Sequence, residues 1–197
     1  MPAMHRRQSL RTLTTLSAGL LLPRWLTAQT VGSSDFWALL RQGGCVVRMR
    51  HALTEPGVGD PPGWRLDNCN SQRRLSDAGR QQARRVGAAF QREQVRVDEV
   101  RSSAWCRCTE TADLAFGRHT VWAPLNSFFQ TGDSAAQIRA LNTGLQTWSA
   151  PRNLVLVTHQ VNMSGISGAY PAMGELFLIR PTPASSAPWP VLARWVV

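Results

Sequence analysis

Apolar runs and amphipathic segments alternate along the chain from residue 34 to its end. Continuous apolar runs predict buried strands at residues 45–50 and 153–159. Shorter apolar stretches predict further strands at residues 97–103, 119–124, 174–180 and 191–197. Apolar spacings of three and four, capping residues and terminal glycines predict helices at residues 34–44, 75–93, 106–117 and 133–148. Strands that alternate with helices predict an α/β domain, a three-layer sandwich with a mainly parallel central sheet and helices on both faces.

The two buried strands both end on residues that are unusual for a core. The first runs into Arg50 and His51, and the second ends on His159. Because such sheets bind ligands at the carboxyl ends of their strands, we expect the two histidines at one edge of the sheet. Arg48 has the strand parity of Arg50, so it either widens this site or forms an ion pair lower on the strand. A long loop rich in glycine and proline follows at residues 52–72, and such loops are usually functional.

The N-terminal segment has the composition of an export signal. Residues 1–28 carry four arginines and no acidic residue, and the pair Arg6-Arg7 precedes a modest apolar stretch. This stretch is too short and too polar to span a bilayer, and the arginine pair resembles a twin-arginine signal. We therefore predict an export signal at residues 1–28 and a single domain at residues 29–197. The mature protein is expected in the periplasm or outside the cell, without stable membrane insertion.

The basic charge is a weak indication of nucleic-acid binding. The formal charge is +10, and part of it lies in the predicted signal. No zinc finger, RNP motif or basic zipper is present, so nucleic acid is not an expected partner.

Four cysteines, at positions 45, 69, 106 and 108, would meet an oxidising compartment after export. They allow three complete pairings, and the spacing alone does not choose among them. We predict one disulfide from Cys69 to either Cys106 or Cys108, with Cys45 a buried free thiol. The spacing Cys106-Arg107-Cys108 lacks the two intervening residues of zinc sites, so we expect no metal and no other cofactor.

Three stretches together carry a family resemblance. They are Met-Arg-His-Ala at 49–52, Ser-Ser-Ala-Trp-Cys-Arg-Cys-Thr-Glu-Thr-Ala at 102–112 and Leu-Val-Thr-His-Gln at 156–160. In this order, and with the helix start Leu-Ser-Asp-Ala-Gly-Arg at 75–80, they resemble the histidine phosphatase superfamily of phosphatases and phosphoglycerate mutases. The resemblance covers roughly residues 43–180 and is strongest to small secreted members.

The resemblance implies a role for each of four residues. His51 would be the nucleophile, whose imidazole forms a phosphohistidine and splits one displacement into two easier steps. Arg50 and Arg107 would bind the phosphoryl oxygens with their forked donors, and Arg107 also lies near a predicted helix N-terminus, which favours phosphate. His159 would donate to the phosphoryl group in the transition state.

The source of the proton for the leaving group is less obvious. One branch of the family has an aspartate directly after the second histidine, but here Gln160 follows His159. The mutase-like branch uses a carboxylate downstream of the second arginine, which indicates Asp133. The same residue also suits a helix cap. Glu110 and Glu55 are the alternatives.

These assignments predict an exported phosphomonoesterase that works through a phosphohistidine on His51. Its substrate is expected to be small and phosphorylated, and a sugar phosphate of the cell envelope is one such compound. The alternative is a protein on the same scaffold that binds phosphorylated sugars without catalysis. Trp64, in the long loop, would either stack on a sugar or pack within the protein.

Overall fold

The computed structural model describes residues 33–129, 134–181 and 189–197. The predicted export signal and Asp133 lie outside these residues. The helices are α1 (Ser33–Gln42), α2 (Asp77–Arg92), α3 (Cys106–Phe116), α4 (Ser134–Leu145) and α5 (Gln160–Ser167). The strands are β1 (Val46–Arg50), β2 (Glu99–Ser102), β3 (Thr120–Val121), β4 (Leu154–Thr158), β5 (Leu176–Ile179) and β6 (Ala193–Trp195).

The described strands form one sheet in the order β3-β2-β4-β1-β5-β6. The four strands β3, β2, β4 and β1 are parallel, whereas β5 and β6 run antiparallel to their neighbours. The two most apolar strands, β1 and β4, pair at the centre, where both faces are covered. The predicted three-layer α/β fold with a mainly parallel sheet is therefore confirmed.

Two apolar layers cover the sheet. On one face, α1, α2 and α3 pack against alternate residues of the central strands, among them Val47 and Met49. On the other face, α4 and α5 pack against the residues of opposite parity, such as Val46 and Leu156. This division follows from the alternation of side chains along a strand.

Helix α2 begins as the sequence predicts, with the Ser76 hydroxyl accepting a hydrogen bond from the Gly79 amide at 3.1 Å. Gly79 is required for packing, because a Cβ atom there would lie 1.9 Å from the Leu53 carbonyl oxygen. Gln82, one turn later, accepts from the Leu53 amide and donates to the Met173 carbonyl. The helix thereby fixes the first residues after His51.

Helix α5 is the main element that the apolar pattern did not predict. Its residues Gln160–Ser167 follow His159 directly, and its polar first turn hides the helical period. None of the described helices is long and apolar enough to cross a membrane.

Candidate active site

The central strand pair brings the two predicted histidines together. Arg50 and Thr158 are register partners at the ends of β1 and β4, so His51 and His159 leave the sheet at the same edge. The His51 amide donates to the Thr158 carbonyl at 2.9 Å, which extends the pairing by one residue. The two imidazole rings lie 5.5 Å apart between centroids. The sheet itself therefore fixes their separation.

His51 is held in the form that a nucleophile needs. Its Nδ1 lies 2.9 Å from the Ala52 carbonyl oxygen, which can only accept, so Nδ1 carries the proton. The lone pair is then on Nε2. Burial, reinforced by the charge of Arg107, holds the pKa of His51 well below its usual value of 6.5. The ring is thus a neutral imidazole at neutral pH.

His159 is a second buried imidazole whose contacts also fix its tautomer. The Ser103 hydroxyl donates to Asn126 Oδ1 at 3.2 Å, so its oxygen accepts from Nε2 of His159 at 2.8 Å. Nδ1 then faces Arg107, whose Nη2 lies 3.4 Å away. Burial, followed by the charge of Arg107, lowers the pKa of His159 well below its usual value. A dianion bound beside Nδ1 would favour a proton there and turn the ring into a donor.

Arg107 is the second residue of α3, where the helix dipole favours an anion. Its side chain is buried, and its Nη1 lies 2.6 Å from Oδ1 of Asp60. Its Nε atom has no hydrogen-bond partner among the described residues. A buried guanidinium with a free donor is suited to bind an additional acceptor.

Asp60 is a site residue that the sequence did not reveal. Besides Arg107, its carboxylate accepts from the Trp105 indole nitrogen at 3.0 Å and from the Arg73 amide at 3.0 Å. Both oxygens act only as acceptors, as in an ionised carboxylate. The side chain is only 4% exposed, although it comes from a loop between Gly59 and Pro61.

A cavity of about 260 Å³ lies against these groups. Its described lining includes four of the predicted site residues: Arg50, His51, Arg107 and His159. It also includes residues that were not predicted as ligands: Asp60, Arg73, Trp105, Val58, Phe129 and Met173. The lining of the cavity is thus both cationic and partly apolar.

A disulfide connects the long loop to the helix that carries Arg107. Cys69 is bonded to Cys106, with 5.6 Å between their Cα atoms, in agreement with one of the two predicted pairings. Gln72 adds a second link, because its side-chain oxygen accepts from the Cys106 amide. Cys45 is a buried free thiol, as predicted. Cys108 is also free, and burial raises the pKa of its thiol to about 12, so it remains protonated.

Other candidate residues are not among the described residues that line the cavity. Glu110 forms an ion pair with Arg80 at 2.7 Å, and neither Glu110 nor Glu55 is part of the cavity lining. The hydroxyl of Thr54, in the long loop, contacts the sulfur of Met173, a lining residue, but Thr54 itself is not part of the described lining. Trp64 packs on Trp105 with 5.0 Å between ring centroids, so it packs within the protein.

Arg48 fits neither expectation. It is buried on the face of the sheet that α4 and α5 cover, it does not line the cavity, and it forms no ion pair with a described carboxylate. Burial lowers its pKa to about 10.

Among the described residues, no group of three or more His, Cys, Asp or Glu side chains is arranged to hold a metal ion.

Comparisons with known proteins agree with this geometry. The family model of the histidine phosphatase superfamily, branch 1, matches residues 46–127, which include β1 and the start of α3. A search of curated proteins found no match.

Solved structures show the same fold at low sequence identity. SixA of Agrobacterium tumefaciens, named a phosphohistidine phosphatase, is 15% identical with a TM-score of 0.52, covering 79% of this chain and 99% of its own. TTHB049 of Thermus thermophilus is 18% identical with a TM-score of 0.52, covering 78% and 99%. A mycobacterial glucosyl-3-phosphoglycerate phosphatase is 16% identical with a TM-score of 0.51, covering 68% and 89%. Residues 46–127 are thus identified as a region of the histidine phosphatase superfamily, branch 1, and the paired histidines and the shared fold agree with that match.

Proposed function

We propose that the protein is an exported phosphomonoesterase that works through a phosphohistidine on His51. The family-model match over residues 46–127 and the phosphatase neighbours support a phosphatase. The observation that carries the chemistry is the hydrogen bond from His51 Nδ1 to the Ala52 carbonyl. It leaves the lone pair on Nε2, beside Arg107 and His159, where a phosphoryl group would be held.

In the first step, Nε2 of His51 attacks phosphorus and the bond from phosphorus to the ester oxygen breaks. The leaving alkoxide takes a proton from a general acid, and Asp133 is the residue that the sequence predicts for this role. Arg50, Arg107 and a protonated His159 stabilise the charge on the transferring phosphoryl group. The Ala52 carbonyl continues to accept from Nδ1 and so stabilises the phosphorylated ring.

In the second step, water attacks the phosphohistidine and loses a proton to the carboxylate that the first step left behind. The bond from phosphorus to Nε2 breaks, and inorganic phosphate and neutral His51 are restored. The cavity of about 260 Å³ suits a small ester rather than a polymer. The mycobacterial neighbour's name includes a sugar-containing phosphate ester, which makes a sugar phosphate of the cell envelope a reasonable first substrate class.

Purified protein lacking residues 1–28 should release phosphate from p-nitrophenyl phosphate, and His51→Ala should reduce release to background with an unchanged thermal midpoint. EDTA should leave the rate unaltered. If the variant keeps its activity, His51 is not the nucleophile. If the wild type binds phosphate but hydrolyses no ester, the non-catalytic phosphosugar binder is the correct function. Export itself is tested by fusing residues 1–28 to a reporter enzyme that is active only outside the cytoplasm.

A further inference from the structure

The cavity lining carries one more arginine than the two that the family resemblance predicts. Three guanidinium groups line it, those of Arg50, Arg73 and Arg107. Among the described lining residues, Asp60 is the only carboxylate. Arg73 belongs to none of the motifs that identify the family, and it reaches the site from the end of the long loop.

The charge of Arg73 interacts with the charges of the other site residues. Burial, followed by the charge of Arg107, lowers the pKa of Arg73, and the nearby Asp60 opposes this shift. Burial and then the charges of Arg73 and Arg107 lower the pKa of Arg50. The three cations are therefore close enough to repel each other, which is costly unless an anion lies among them.

The donors of these guanidiniums are only partly used. Arg50 donates Nη1 to the Pro171 carbonyl, and Arg73 donates Nη1 to the Gly57 carbonyl. The Nε atoms of Arg50, Arg73 and Arg107 are all buried without a hydrogen-bond partner among the described residues. Buried donors of this kind usually have a partner in the functional state.

Asp60 offsets one of the three positive charges. It pairs with Arg107 through its side chain and is held by the backbone amide of Arg73, not by the Arg73 side chain. With both histidines neutral, the lining carries three positive charges and one negative charge, a net charge of plus two. A phosphate monoester above its second pKa of about 6 carries two negative charges.

We propose that Arg73 is a third guanidinium ligand for the phosphoryl group, and that Asp60 is the built-in counter-charge that sets the cavity for a doubly charged phosphate monoester. This inference rests on the proposed phosphatase site.

The first test compares two adjacent arginines. Arg73→Gln should weaken competitive inhibition by inorganic phosphate about tenfold or more, the yield of a charge-assisted hydrogen bond. Arg73→Lys should recover part of the loss, because it restores the charge. Arg74→Gln is the matched control and should leave phosphate inhibition unchanged, since Arg74 bonds Asn70 and does not line the cavity. Equal inhibition constants for wild type, Arg73→Gln and Arg74→Gln would overturn the inference.

The second test removes the counter-charge. Asp60→Asn keeps one acceptor oxygen, which can still serve the Arg73 amide, and places an amide NH2 opposite the Trp105 indole N–H. It also raises the net charge of the cavity, so phosphate should bind about tenfold tighter. The double variant Arg73→Gln/Asp60→Asn should lie between the two single variants. Weaker phosphate binding by a folded Asp60→Asn protein would contradict the counter-charge role.

Phosphate binding measured by calorimetry in the His51→Ala background separates this inference from the proposed function. If hydrolysis is never detected but phosphate affinity depends on Arg73 as described, the inference stands and the catalytic proposal fails. If hydrolysis depends on His51 but not on Arg73, the catalytic proposal stands and this inference fails. The thermal midpoints of Arg73→Gln, Arg73→Lys and Arg74→Gln should match the wild type, since a merely structural role would move them.

Discussion

The cavity has two walls of different origin. The strand wall consists of Arg50, His51 and His159, which follow the ends of two paired strands. The loop wall consists of Asp60 and Arg73, which come from an irregular segment that a disulfide and the Gln72 side chain attach to α3. The strand wall is fixed by the hydrogen bonds of the sheet, whereas the loop wall depends on a few long-range contacts. In the proposed mechanism, the strand wall carries the nucleophile that makes and breaks bonds, and the loop wall balances the charge.

The largest effect should follow from removing the guanidinium of Arg107 or the imidazole of His159. Arg107→Ala and His159→Ala should each lower kcat about 100-fold or more, the loss expected when a preorganised charge stabiliser is removed. Steady-state kinetics on p-nitrophenyl phosphate measure this. Unchanged kinetics at either position would show that the family roles are assigned to the wrong residue.

The next prediction concerns the proton that the leaving group takes up, for which Asp133 is the proposed donor. Asp133→Asn should barely slow p-nitrophenyl phosphate, whose leaving group departs without a proton. It should slow glycerol phosphate about 100-fold, the usual contribution of a positioned general acid. Parallel rate measurements on the two esters decide the matter. If both substrates react normally, Asp133 acts at most as a helix cap, because asparagine caps about as well.

A further prediction concerns the Cys69–Cys106 disulfide, which attaches the loop wall to α3. Cys69→Ala should lower the free energy of unfolding by about 2–4 kcal/mol, because the bond closes a loop of 37 residues. Dithiothreitol should destabilise the wild type by a similar amount and leave Cys69→Ala unaffected in urea denaturation. Phosphate inhibition should weaken in the same variant while His51 stays reactive. A reductant effect that persists in Cys69→Ala would place the redox-sensitive group elsewhere.

The smallest effect concerns stability at acidic pH. Burial and Arg107 hold the pKa values of both His51 and His159 well below 6.5, so the unfolded chain takes up protons first as the pH falls. Above about pH 6.5 both histidines are neutral in the folded and the unfolded chain, so the free energy of unfolding has its full value with respect to these two groups. It should decline below that pH by up to about 1.4 kcal/mol per pH unit for each histidine. Urea denaturation at pH 7.5 and 5.5 should show a flatter dependence in His51→Gln/His159→Gln.

The difference between the walls also explains how much the sequence revealed. His51 and His159 could be predicted because an apolar strand leads into each, and parallel pairing brings strand ends to one edge. Asp60 could not, because its partners Arg107 and Trp105 lie more than 40 residues away along the chain and its own neighbours are glycine and proline. Arg73 could not be predicted either, because it lies next to Arg74 and nothing in the sequence distinguishes the two. Helix α5 was missed because its first turn is polar.

The most direct test of the central claim is to trap the phosphoenzyme. Wild-type protein mixed with labelled phosphate ester and quenched during turnover should carry a phosphate that is labile in acid and stable in base. Peptide mapping should place it on His51, and His51→Ala should carry none. Phosphate that survives acid, or that maps to another residue, would contradict the account.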